Sequence, residues 1–204
     1  MKKFVILAAF AVMSASAFAQ FTYGVRAGLN LATISNAKLL VGEDVVKMKP
    51  SLYVGAFGEY KVGDFFGLSA DLIYSRQGVS FDAFSFEEEG EEWSIPKSNM
   101  RLNYLNLPIM ARLYVLEGLS VDLGPQFGIL LGAKVWSDGV DDTEDIKDEI
   151  QSLDVSFGAG LTYNIGKFLI QGRYNLGLTD CMKDNNGDKK FKNNVIQFGV
   201  GYRF

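Results

Sequence analysis

The sequence predicts an all-β protein, an eight-stranded antiparallel up-and-down transmembrane β-barrel with short periplasmic turns and four long outer loops. Three observations carry that expectation. Side chains alternate between apolar and polar with a period of two along eight segments. The connections between those segments are short and long in strict alternation. An export signal stands in front of them, and no later apolar run approaches the roughly 20 residues a membrane helix needs.

The signal comes first in the chain. Lys2 and Lys3 precede the apolar run Phe4 to Val12, and Ser14-Ala15-Ser16-Ala17-Phe18-Ala19 follows as a small-x-small site. Cleavage is expected between Ala19 and Gln20. This divides the chain into a signal peptide, residues 1–19, and one barrel domain, residues 20–204.

The first segment, Phe21 to Ala32, sets Phe21, Tyr23, Val25, Ala27, Leu29 and Leu31 against Thr22, Gly24, Arg26, Gly28 and Asn30. The second, Ser51 to Lys61, opposes Leu52, Val54, Ala56 and Tyr60 to Gly55, Phe57 and Glu59. The third, Phe66 to Gln77, opposes Leu68, Ala70, Leu72 and Tyr74 to Ser69, Asp71, Ser75 and Gln77. The fourth, Met100 to Tyr114, is less regular. It sets Leu105, Leu107, Ile109, Ala111 and Leu113 against Asn106, Met110 and Arg112, and Pro108, which lacks an amide donor, predicts a bulge or local break.

The fifth, Leu119 to Leu131, opposes Val121, Leu123, Phe127 and Ile129 to Asp122, Gly124, Gln126 and Gly128. The sixth, Leu153 to Asn164, alternates Val155, Phe157, Ala159, Leu161 and Tyr163 with Ser156, Gly158, Gly160 and Thr162. The seventh, Phe168 to Thr179, opposes Phe168, Ile170, Tyr174, Leu176 and Leu178 to Gln171, Arg173, Asn175 and Gly177. The eighth ends the chain, with Ile196, Phe198, Val200, Tyr202 and Phe204 on one face and Gln197, Gly199, Gly201 and Arg203 on the other. Each is long enough for a tilted membrane-spanning strand.

The tight connections are residues 62–65, 115–118 and 165–167; the long ones are roughly 33–50, 78–99, 132–152 and 180–193. Outer-membrane barrels segregate their loops by length in this way, with the short turns on the periplasmic side. The small, glycine-rich polar face fits the narrow interior of an eight-stranded barrel, and the bulky apolar face fits the exterior. Tyr23, Tyr60, Phe66, Tyr163, Phe168, Tyr202 and Phe204 fall near the periplasmic ends and predict an aromatic girdle. The interior face then carries Arg26, Arg112, Arg173 and Arg203 beside Glu59, Asp71 and Asp122, and a lumenal ion-pair network is expected from them.

Composition narrows the function. There is no histidine, which removes Ser-His-Asp and Cys-His catalysis and the usual zinc sites. The chain is therefore expected not to be an enzyme and to need no cofactor. Its formal charge of −4 becomes −6 once Lys2 and Lys3 are removed, which argues against a nucleic-acid partner. The single cysteine, Cys181, has no intramolecular partner.

Two outer loops are strongly acidic, the second and the third. Glu87, Glu88, Glu89, Glu91, Glu92, Asp141, Asp142, Glu144 and Asp145 form an oxygen-rich patch for a divalent cation or a basic partner, or simply a solvated surface. The i, i+4 spacing of Ile146 and Ile150 predicts a short helix within 141–151. Lys183-Asp184-Asn185-Asn186-Gly187-Asp188 looks like part of a calcium loop, but its glycine comes before the third oxygen ligand and no bidentate Glu follows. An Asn-Gly turn is expected there instead.

The segments Tyr23-Gly24-Val25-Arg26-Ala27-Gly28-Leu29-Asn30-Leu31, Val54-Gly55-Ala56-Phe57, Ala70-Asp71-Leu72-Ile73-Tyr74-Ser75-Arg76-Gln77-Gly78, Tyr104-Leu105-Asn106-Leu107-Pro108 and Gly199-Val200-Gly201-Tyr202-Arg203-Phe204 resemble the PorT-like, or porin-like, outer-membrane barrel family. Asn106 departs from that pattern, where an acidic residue is common. The resemblance implies fold and outer-membrane location across the mature chain, and little about activity. One branch of that family is linked to type IX protein secretion.

The expected protein is a small, non-enzymatic barrel of the bacterial outer membrane. Its lumen is filled by side chains, and its acidic outer loops meet partners at the cell surface. Its partners are outer-membrane lipid, with lipopolysaccharide, divalent cations or surface proteins as further candidates. The rival readings are a narrow diffusion channel and an accessory part of a type IX secretion or gliding apparatus.

Overall fold

The computed structural model describes residues 20–35, 46–88, 91–137, 143–183 and 190–204, with backbone alone at 46, 84, 86–88 and 91–95. The strands are β1 Phe21–Ile34, β2 Val46–Lys61, β3 Phe66–Phe81, β4 Phe84–Glu88, β5 Glu91–Ile95, β6 Ser98–Leu116, β7 Leu119–Ser137, β8 Thr143–Asp145, β9 Leu153–Ile165, β10 Phe168–Gly177 and β11 Asn193–Arg203. The described residues contain no helix.

Eight strands run β6-β3-β2-β1-β11-β10-β9-β7, and the further pairing of β6 with β7 closes them into a barrel. Every neighbouring pair is antiparallel. The first and last strands meet in a continuous seam from Gly24 opposite Arg203 to Ile34 opposite Asn193. Closure leaves the barrel wall no bare edge. β4 and β5 form a separate hairpin, and β8 pairs with the far end of β7.

Three connections are tight, and they share one end of the barrel with both Gln20 and Phe204. This is the turn end; the opposite one is the loop end. Gly118 and Gly166 take φ of +78° and +58° in two of the turns, a backbone region that a side chain disfavours.

The outward face is apolar around the whole wall, with Val25, Leu29, Val54, Leu72, Ile109, Phe127, Phe157, Leu161, Ile170 and Val200 all exposed. Rings gather at the turn end, where Tyr23, Tyr60, Tyr163, Phe168 and Phe204 are exposed alongside Phe21 and Phe65. The Tyr23 ring lies tilted against Phe204 at 5.5 Å, and Tyr202 lies 5.3 Å from Phe168 and 5.6 Å from Phe204.

The wall is uneven in height. β2 and β3 have 16 residues each and β6 and β7 have 19, whereas β9, β10, β11 and β1 have 13, 10, 11 and 14. The long strands continue past the segment ends that alternation marks, so the connections are shorter than expected and the second holds its own hairpin. The register between β3 and β6 is unshifted across Pro108, although no pairs are formed at Asp71 and Leu72. The register shifts lie elsewhere, between Met48 and Tyr53 on β2 and, on β6, between Asn103 and Tyr104 and between Tyr114 and Leu116.

The helix expected within 141–151 is not formed over the described part of that segment. Residues 143–145 are β8, 147–149 form a turn, and Ile150 bridges to Met182. Ile146 and Ile150 are both buried, as their spacing suggested, but they reach inward from an extended segment docked on β7. Pairing with β7 supplies the backbone bonds that an isolated helix of two turns cannot stabilise.

Candidate functional site

The lumen holds the charged residues. Because strand parity aims every second side chain inward, Arg26 on β1, Glu59 on β2, Asp71 on β3, Arg112 on β6, Asp122 on β7 and Arg173 on β10 converge from six strands, and all are buried. Arg112 lies at the centre of one group. Its Nε donates to Asp122 Oδ1 at 2.7 Å and its Nη2 to Asp122 Oδ2 at 2.9 Å, a two-pronged contact, while its Nη1 reaches Glu59. The Tyr114 hydroxyl donates to the other Glu59 oxygen at 2.5 Å. Thr162 donates to Asp122 at 2.6 Å.

A second group forms around Asp71, which pairs with Arg26 at 3.0 Å and Arg173 at 3.4 Å. The guanidinium of Arg26 lies over the Phe57 ring at 4.5 Å. Gln171 joins the two groups. Its Oε1 accepts from Arg26 at 2.7 Å and its Nε2 donates to Asp122 at 3.2 Å. The result is one chain of polar contacts from Glu59 to Arg173 across the barrel. Three arginines face three carboxylates, so the plug carries no formal net charge.

Arg203 does not join it. Its Nη2 donates to the Gly166 carbonyl at 2.6 Å at the turn end, and it lines an open vestibule of about 510 Å³ with Lys61, Glu117 and Asn164. The last inward position of the last strand lies at the mouth of the barrel, where water is at hand, so it needs no acid.

Toward the loop end the polar side chains of the lumen are mostly uncharged, with Asp154 a buried acid among them. Asn30 donates to Ser75 at 2.9 Å and accepts from Gln197 at 2.8 Å, Asn175 donates to Gln197 at 2.9 Å, and Gln77 donates to Ser75 at 3.0 Å. Tyr53 fills the space beside Gly28 and Gly199. A Cβ on Gly199 would lie 1.9 Å from its hydroxyl, so the ring requires that glycine. Above this layer the interior is apolar. Leu102, Tyr104, Leu130, Ala133, Ile146 and Ile150 form one cluster, and Ile34, Val79 and Cys181 another. Burial, with Asp180 and Asp154 nearby, pushes the Cys181 thiol up to about 12.

Sequence reasoning did not single out Gln171, Thr162 or Tyr114, although all three lie on the inward parity. It also missed the apolar cork, whose Ile146, Ile150 and Cys181 come from the long connections. Of the acidic patch, Glu144 and Asp145 are exposed on β8. The side chains of Glu87, Glu88, Glu91 and Glu92, and the whole of Glu89, Asp141 and Asp142, lie outside the described residues, as do residues 1–19 and 184–189. Among the described residues, no group of three or more Asp, Glu, Cys or His is placed to hold a metal ion.

Three comparisons bear on this arrangement. Residues 15–183 match the family model described as outer membrane protein beta-barrel domain. No curated protein matches the sequence. Among solved structures, the chain is similar to Ail, the attachment invasion locus protein of Yersinia pestis, at 17% identity and a TM-score of 0.50, covering 91% of this chain and 99% of that one. It is also similar to Neisserial surface protein A, at 14% identity and a TM-score of 0.51, covering 91% and 97%. These two likenesses bear on fold. With the family match across most of the chain, the closed apolar-walled barrel and its polar interior lead to one conclusion: the chain belongs to the outer membrane protein beta-barrel domain family and resides in the bacterial outer membrane.

Proposed function

We propose that this protein is a non-enzymatic surface barrel with a closed lumen, and that it works through what its outer end binds. The observation that carries this reading is the double occlusion of the interior. A neutral arginine–carboxylate plug spans the lumen, and an apolar cork lies beyond it toward the loop end. Buried charges held by two-pronged contacts do not move aside for a permeating ion without losing their partners. The absence of histidine supports a role without catalysis. In this reading residues 1–19 are removed by cleavage between Ala19 and Gln20, the loop end faces outward, and the acidic loops present Glu144, Asp145 and their neighbours to cationic or basic partners. The motifs quoted above resemble the PorT-like group, and an accessory role in secretion would be one use of such a surface.

Two measurements test the proposal. In planar bilayers the refolded protein should show almost no single-channel conductance; steady conductance would establish the diffusion-channel reading instead. Cysteines placed at Glu89, Asp142 or Asn186 in a Cys181→Ser background should react with impermeant reagents on intact cells, and one at Gly63 or Gly166 should not. The opposite labelling would invert the assignment of sides.

A further inference from the structure

At the outward strand positions just above the apolar belt, cations stand on one half of the barrel only. On β3 the outward apolar row ends at Tyr74, and the next outward residue is Arg76. On β6 the outward row passes from Leu105 through Asn103 to Arg101, and on β7 Leu131 is followed, across the register shift, by Lys134. On β2, Lys49 and Lys47 lie beyond Leu52. The corresponding positions of β9, β10, β11 and β1 are Leu153, Leu178, Asn194 and Thr33. So the four long strands carry five cations just above the apolar belt, and the four short strands carry none at those positions.

Two of these cations flank one aromatic ring. Lys49 Nζ sits 4.3 Å and the Arg101 guanidinium 4.7 Å from the centre of the Trp136 ring. A groove of about 190 Å³ runs between Lys49, Arg76 and Arg101, and its walls include Leu52 and Met100. A second groove of about 390 Å³ shares Arg101 and adds Lys134 and Trp136. Among the described residues Lys47, Arg76, Arg101 and Lys134 have no carboxylate in ion-pair contact. Asp145 lies opposite Lys134 in register but forms no ion pair with it.

We propose that this half-rim is a docking surface for a phosphorylated outer-leaflet lipid of the lipopolysaccharide class. Its phosphates would sit on Arg76, Arg101 and Lys134, and its acyl chains would run down the wall past Leu52, Tyr74 and Leu131. Guanidinium groups bind phosphate oxygens in two-pronged fashion, and tryptophan favours the boundary between head groups and chains. The apolar walls of the groove and its continuity with the belt select a lipid over a free anion. This inference rests on the outward assignment of the loop end.

The test uses the mature chain in uncharged detergent. Of the two tryptophans, Trp93 and Trp136, Trp93→Phe leaves Trp136 as the reporter. Bisphosphorylated lipid A in mixed micelles should change Trp136 fluorescence saturably, about tenfold more tightly than dephosphorylated lipid A. Millimolar inorganic phosphate should not reproduce the change. The double substitution Arg76→Gln/Arg101→Gln should weaken binding about tenfold or more, at an unchanged unfolding midpoint, and Lys183→Gln on the other side should not. Equal binding of the dephosphorylated lipid, an unaffected double variant, or a matching response to inorganic phosphate would each overturn the proposal. Inverted thiol labelling on cells would remove the outer-leaflet occupant while leaving the micelle titration readable, so the two failures can be told apart.

Discussion

The lower and upper parts of the long strands obey opposite rules. Near the turn end of β3, Leu68 and Leu72 face out while Ser69 and Asp71 face in; near its other end Arg76 faces out and Val79 faces in. β6 changes likewise, from Ile109 outside and Arg112 inside to Arg101 outside and Leu102 inside. β7 goes from Phe127 outside and Asp122 inside to Lys134 outside and Ala133 inside. One continuous backbone is therefore a membrane protein for part of its length and a soluble protein for the rest. The solvent at a given height decides which face must be apolar. A strand of 16 or 19 residues exceeds the roughly 9–11 needed to cross, and the excess is in water. The level of the inversion marks the loop-end boundary of the bilayer more sharply than strand length does.

The comparison predicts how each part fails. The largest loss should come from Arg112→Met, which leaves Glu59 and Asp122 buried without their cation and should cost about 3–5 kcal/mol. The unfolding midpoint in detergent, read by heat-dependent gel mobility, measures it. The triple variant Arg112→Met/Glu59→Gln/Asp122→Asn should regain much of that loss, because coupled groups are not additive. If the triple variant is no more stable than the single, the charges are not acting as a unit.

Leu102→Ala removes bulk from the cork and should cost roughly 2–5 kcal/mol by the ordinary rule for a soluble core. The sharpest test pairs two outward positions of β3. Leu72→Arg, in mid-belt, should cost about 2–4 kcal/mol, whereas Arg76→Leu, at the boundary, should change stability by less than about 1 kcal/mol. Similar costs at the two sites would erase the proposed boundary. The smallest effect concerns Cys181. With its thiol held neutral up to about 12, almost no thiolate is present at pH 8, and native protein should react with maleimide far more slowly than the unfolded chain. Fast labelling without unfolding would mean that the cork opens.

Parity along each strand was legible in the sequence, because one residue's direction fixes that of its neighbours, and closure followed from the need of every strand for two partners in lipid. Which charges meet was not legible. Glu59 pairs with Arg112, and Arg173 with Asp71, because the stagger between strands sets the height of each side chain in the lumen. Alternation within a strand carries no information about that stagger. The inversion was hidden for a related reason. Val79 and Leu102 are apolar on the polar parity, so the pattern reads as the end of a segment at Gln77 and the start of another near Met100. In fact the strands continue and the solvent changes. The cork depends on chain segments folding back over the mouth, which no periodicity reports.

The seam between β1 and β11 has a consequence for how the protein is made. It joins Gly24 to Arg203, on the first and last strands of the barrel. No shorter product can close, since a missing strand leaves two rows of unpaired amides facing hydrocarbon. All eight strands must therefore reach the membrane before the barrel closes, and the seam, with the greatest sequence separation, carries the largest loop-closure cost. Whatever inserts this barrel must handle all eight strands together, and a chain that lacks β11 cannot close it.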